Sequence, residues 1–146
     1  MEHTNVIRQL NKFLEGNYMA IHAYDNYIKD IEDEKIKSAF QNLQKDHKQH
    51  ALLIAERIQN LGGIPANDVG MKGKMAEIVQ KMTGGTKELT SIIKDAIAGE
   101  QRGIKASEEI LRGQLDEESL QLVKKVLNND RKHIELLKNL LAQTNF

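Results

Sequence analysis

A chain of 146 residues with Lys+Arg and Asp+Glu both at 21 has a formal net charge of zero and enough length for one domain with a sizeable core. The charge balance, with no basic tail or stripe, argues against a nucleic-acid partner, and the lack of Cys excludes disulfides, zinc ribbons, rubredoxin-type iron centres and thiol catalysis. The absence of Cys fits a reducing cytoplasm, the start Met-Glu-His-Thr-Asn carries no signal-peptide pattern, and no stretch approaches the roughly 20 apolar residues of a membrane span.

One Pro, no Trp and long runs of Lys, Glu, Leu, Ile and Gln suit an all-α protein. A first helix is expected over about 5–31, with Thr4 as N-cap. Its apolar line is Ile7, Leu10, Leu14, Asn17, Ile21, Tyr24, Ile28 and Ile31, in steps of three and four. Glu15 sits one residue off this seam, with Tyr18 and His22 on the same flank. The link Glu32-Asp33-Glu34 is so short that the next helix must fold back antiparallel. That second helix spans about 34–61, with a stripe of Ile36, Phe40, Leu43, His47, His50, Ile54, Ile58 and Leu61. Gly62 and Gly63 close it, and Pro65 prevents continuation.

From about 62 to 85 the sequence is looser and glycine-rich, with a shorter helical stretch over 72–82. A connection of this length can cross a bundle whose helices are about 40 Å long, so the second and third long helices can run parallel. The third helix is expected over about 86–111, with Leu89, Ile93, Ile97, Glu100, Ile104, Ser107 and Leu111 in line. Gly113 ends it and Asp116 caps a fourth helix over about 117–142. The fourth stripe is Leu120, Val123, Leu127, Asp130, Ile134, Leu137 and Leu141, with His133 beside it. The whole of 1–146 reads as a single domain.

Polar residues thus fall where the pattern asks for Leu or Ile. His47 and His50, like Asp130 and His133, are three apart and share a helix face, so each pair can reach one point. Buried polar and charged groups are costly unless paired or bound to metal. Counting along the helices brings Glu15, His47, His50, Glu100, Asp130 and His133 to roughly one level near mid-bundle. Oxygen and imidazole ligands without thiolate suit iron, manganese or zinc.

On these residues the chain resembles the ferritin-like four-helix bundles of the rubrerythrin and bacterioferritin type. The resemblance covers most of the chain, and Leu61-Gly-Gly-Ile-Pro65 with the Lys-Gln-His-Ala run at 48–51 is similar to an uncharacterised bacterial family of such bundles. It implies an up-down-down-up bundle whose long crossover carries a short extra helix. It also implies a dinuclear metal site and redox work on iron, oxygen or peroxide, of ferroxidase or peroxidase type. By position, Asp130 and His133 match the pair on the fourth helix, with Asp for the usual Glu. His50 matches the second-helix histidine, Glu100 a third-helix carboxylate and Glu15 the first-helix carboxylate. His47 stands where that pattern places a bridging Glu, and the adjacent Asp46 is turned about 100° away on the helix. Three carboxylates and three histidines leave one metal, two with altered bridging, or none as alternatives.

Other readings stay open on the sequence. A structural or interaction bundle with a metal-free polar core would pair Glu100 and Asp130 with protonated histidines. Haem held by His50 and His133 leaves the seam acids unexplained and is not favoured. Phe13, Tyr24, Tyr27 and Ile28 widen the apolar side of the first helix, which suits a homodimer surface. Without Cys or a rubredoxin-like domain, a redox role needs a separate electron donor.

Overall fold

The computed structural model describes residues 3–68 and 88–144, and among these it holds four helices and no strand. They are α1 (Thr4–Lys29), α2 (Glu34–Asn60), α3 (Leu89–Leu111) and α4 (Glu117–Thr144). The short helix expected over 72–82 lies outside the described residues. No described helix is long and apolar enough to cross a membrane.

The ends of the helices follow local chemistry. Thr4 is the first helical residue of α1 rather than its cap; His3 precedes it and makes no capping bond. At α2 the Asp33 side chain accepts a hydrogen bond from the Ile36 amide at 3.0 Å, satisfying a donor the helix leaves free. Its other end closes through two amide bonds, Gly62 to the Gln59 carbonyl and Gly63 to that of Ile58, both at 2.9 Å. This is a Schellman motif, and it requires φ of +89° at Gly62. Gly63 is fixed by packing instead, since a Cβ there would lie 2.8 Å from Ile7 Cγ2.

Four antiparallel interfaces form a ring: α1–α2, α2–α4, α4–α3 and α3–α1. Arg57, near the end of α2, donates to Asp116 at 2.7 Å and to Ser119 Oγ at 3.1 Å at the start of α4. Gln9, near the start of α1, lies against Gly113 just past the end of α3. Those two contacts fix the directions as up, down, down, up. The backbones of the diagonal pairs α1–α4 and α2–α3 do not approach one another. Side chains do meet across the diagonal at the centre, as His47 of α2 does with Glu100 of α3.

Among the described residues the core forms two apolar clusters. One gathers Tyr24, Ile31, Phe40, Leu43, Ile93 and Leu137, among others. The second gathers Leu10, Phe13, Leu14, Ile54, Ile58 and Val123, among others. His47 and His50 on α2, Glu100 on α3, and Asp130 and His133 on α4 fall between the two sets along their helices, and all five are buried. The expected stripes are met closely on α2. On α4 the phase is one residue off, since His133 is buried while Ile134 is only half-buried. Of the residues that widen the apolar side of α1, Phe13 and Tyr24 are buried, and Tyr27 and Ile28 are half-buried and pack on the core.

Candidate metal centre

Glu100 is the hub of the polar layer. It sits on α3 between Ala96 and Ser107, both buried, and is 3 % exposed. Its Oε2 accepts from the Tyr24 hydroxyl at 2.6 Å and lies 2.7 Å from His47 Nε2. Its Oε1 lies 3.2 Å from His133 Nδ1. The other nitrogen of His133, Nε2, is 2.8 Å from Asp46 Oδ2. His133 Nδ1 is also 3.6 Å from Asp130 Oδ1.

Burial pushes the Glu100 carboxyl up, but hydrogen bonds and charge from His133 and His47 reverse this and hold it at about 2. Burial pulls His133 down, yet the bond to Glu100, that carboxylate's charge and the bond to Asp46 raise it to about 9. At neutral pH His133 is therefore an imidazolium donating to a carboxylate on each side. Asp130 is pushed up to about 7, by burial first and then by the charge of Glu100. His50 is pulled down to about 4, by burial first and then by His47 and His133. Tyr24 is raised by burial and by Glu100, so its hydroxyl stays a donor.

One nitrogen or oxygen from each of His47, Glu100, Asp130 and His133 lies within 4.8 Å of every other, and all four residues are buried. Within that layer Asp130 Oδ1 and His47 Nδ1 have no hydrogen-bond partner. An unpartnered buried carboxylate oxygen is expensive in a protein interior unless a cation satisfies it. Two imidazoles and two carboxylates converging on one point are a donor set suited to a divalent transition metal.

Of the six residues expected to gather, these four come together. His50 is buried beside them, its ring centroid 5.8 Å from that of His47, but its Nε2 is 2.9 Å from Asn129 Nδ2 and it is not one of the four. Glu15 is half-buried and also outside the group. Its flank of α1 faces the chain that follows α2. Asn11 bonds Ile64 and Ala66 there, Tyr18 bonds Ala66, and His22 lies 3.3 Å from Asp68. Two participants were not anticipated. Tyr24 reads as an apolar seam residue, and nothing in the periodicity marks its hydroxyl. Asp46 is turned away from the centre, as its helix position requires, but it meets the outward nitrogen of His133.

This arrangement of four helices around a buried polar layer has the fold of a ferritin-like bundle, and solved structures agree on that fold. A bacterioferritin-related thioferritin from Bacteroides fragilis, dodecameric by its description, is 22 % identical, with a TM-score of 0.79 over 96 % of this chain and 86 % of that one. The bacterioferritin of Desulfovibrio desulfuricans, described with a diiron site, is 22 % identical, with a TM-score of 0.77 over 94 % and 78 %. A ferritin-like, diiron-carboxylate protein from Bacillus anthracis is 24 % identical, with a TM-score of 0.68 over 94 % and 95 %. No curated protein matches the chain. The family model for "Domain of unknown function (DUF2383)" matches residues 5–113, and the chain belongs to that family. Asp130 and His133 on α4 lie beyond the matched span.

Proposed function

We propose that this protein binds one divalent transition metal per chain, iron first and manganese or zinc as substitutes, between His47, Glu100, Asp130 and His133. The observation that carries the reading is the convergence of four buried ligand atoms within 4.8 Å, with Asp130 Oδ1 left unpartnered. Charge supports it as well: two carboxylates match a divalent ion once His133 gives up its proton. The diiron descriptions of the Desulfovibrio and Bacillus proteins favour iron. A second ion lacks its bridge, because His47 stands in for the bridging carboxylate and α1 brings none to the group.

Iron held there would supply redox chemistry toward oxygen or peroxide, of ferroxidase or peroxidase type, and a separate donor would supply electrons. The protein's own part is more specific. His133 Nδ1 faces Glu100 and Asp130, while its Nε2 faces Asp46. Asp46 therefore holds the proton on Nε2 and leaves Nδ1 for the metal. Tyr24 orients Glu100 through Oε2. The two apolar clusters flank the layer along the helices. Self-association belongs to the same proposal, by analogy with the dodecameric Bacteroides protein.

The test is metal content per chain after anaerobic loading with Fe(II) and desalting. Wild type should retain about one ion, His133→Ala close to none, and His50→Ala most of it. Failure of wild type to hold iron, manganese or zinc would leave the layer as a metal-free polar network in a structural bundle.

A further inference from the structure

We propose that the cleft between α1 and α3 is a binding site for a neutral, elongated organic molecule, apolar along its body and ending in a hydroxyl that sits at Asp130. The proposal names a ligand class for the metal site above and rests on that reading for any chemistry. The binding itself can be measured without metal.

The cleft has a volume of about 500 Å³ and runs from the surface to His47, Glu100 and Asp130. Phe13, Ala20, Ala23, Tyr27, Ile92 and Ala96 are among its walls. Apolar walls with a few converging polar groups are the usual make-up of a small-molecule site of this size. Glycines keep it open. A Cβ at Gly16 would meet nothing within 4 Å, and one at Gly99 only the tips of Arg102 and Tyr27, at 3.7 and 4.0 Å. At Gly103 the nearest atom would be Asp130 Oδ2 at 3.5 Å, so the third glycine clears the approach to that carboxylate.

The floor decides the occupant. His47 belongs to α2 and Asp130 to α4, the two helices behind the cleft, so the cleft passes between α1 and α3 into the interior. A helix, about 10 Å across with its side chains, cannot follow. A second copy of the chain could cover the rim but not fill the floor. At the floor, the Glu100 oxygens already face Tyr24, His47 and His133. Asp130 is 4 % exposed; its Oδ1 accepts no hydrogen bond, with His133 Nδ1 at 3.6 Å, and its Oδ2 lies on the Gly103 side, toward the cleft. Asp130 is thus the floor group with hydrogen-bonding capacity left, which calls for a hydroxyl on the ligand. Two acids at the floor disfavour a carboxylate head there, the cleft's cations Lys12, Lys29 and Arg102 being exposed residues at its mouth, and the apolar walls call for a hydrocarbon body.

The experiment titrates 1-octanol into the metal-free full-length chain by calorimetry, with octanoate as the charged counterpart. Octanol should bind saturably at one site, and octanoate about tenfold more weakly or not at all. Gly99→Leu fills the cleft and should weaken octanol at least about tenfold. Leu favours a helix over Gly, so misfolding is not the trivial cause. Gly16→Leu provides a second filling variant on the opposite wall. No saturable binding, or equal binding by both filled variants, overturns the proposal. Iron content measured on the same preparations separates the two readings. Iron retained without octanol binding sinks the cleft and spares the metal site. Cleft-dependent octanol binding without iron uptake upholds the cleft and removes the metal.

Discussion

At the scale of single residues, the pairing of Asp46 with His133 shows how an outer contact sets the chemistry of an inner one. Asp46 is half-exposed and cannot reach the centre, yet its Oδ2 lies 2.8 Å from His133 Nε2. A carboxylate there fixes the tautomer and raises the basicity of the inward nitrogen. On the proposed metal reading, Asp46→Asn is therefore expected to weaken metal affinity by about 10- to 100-fold with His47, Glu100, Asp130 and His133 intact. A competition titration with a chelating dye checks this. Glu15→Gln, outside the group, should leave the affinity unchanged; equal losses in both variants would refute the assignment. The sequence made His47, Glu100 and Asp130 legible because each interrupts an apolar stripe. It could not separate His47 from His50. Both lie on one stripe, and which of them meets Glu100 depends on the rotation of α2 in the bundle. Glu15 lies close to the seam in the sequence, but its flank of α1 faces the chain after α2.

Among the elements, α1 has the least expected role. The resemblance assigns it a carboxylate, and the structure gives it the Tyr24 hydroxyl, 2.6 Å from Glu100, and a buried Asn17. Asn17 turns inward on itself, donating to the Phe13 carbonyl of its own helix at 3.0 Å. On the proposed metal reading, α1 therefore positions a ligand rather than supplying one. Tyr24→Phe removes a donor from a buried charged acceptor and keeps the ring that packs on Phe40. The metal-free protein should lose roughly 1–3 kcal/mol of stability, measured by urea denaturation, while iron content stays near one per chain. Loss of iron together with stability would make Tyr24 essential to the centre itself. Helix lengths, hairpins and the crossover were readable because periodicity and Gly-Pro punctuation are local signals. The one-residue phase error on α4, which put Ile134 in the seam and His133 beside it, arose because a stripe has angular width. Only packing against α2 and α3 selects the buried edge.

For the whole molecule, a charged layer between two apolar clusters makes stability a function of pH, and the proposed metal adds a second variable. In the metal-free protein His133 moves from an ordinary 6.5 to about 9. Its contribution is complete below about 6.5 and fades as pH rises through about 9. Asp130, raised from 3.8 to about 7, acts in the same direction lower down, since the folded chain keeps a proton that the unfolded chain has released. His50, lowered from 6.5 to about 4, opposes them, but only below 6.5. Glu100, lowered from 4.5 to about 2, contributes fully above 4.5 and is lost only as pH falls through about 2. Between about 6.5 and 9, then, the metal-free bundle should lose stability steadily. A metal needs His133 neutral, so its affinity grows across the same window, and bound metal stabilises the fold by mass action. Melting curves in this range, with a chelator and with Zn(II), should diverge as pH rises: the chelated protein falls and the zinc-loaded protein holds. Parallel curves would mean that His133 gives up no proton to the metal, and the Nδ1 ligand assignment would fall with them.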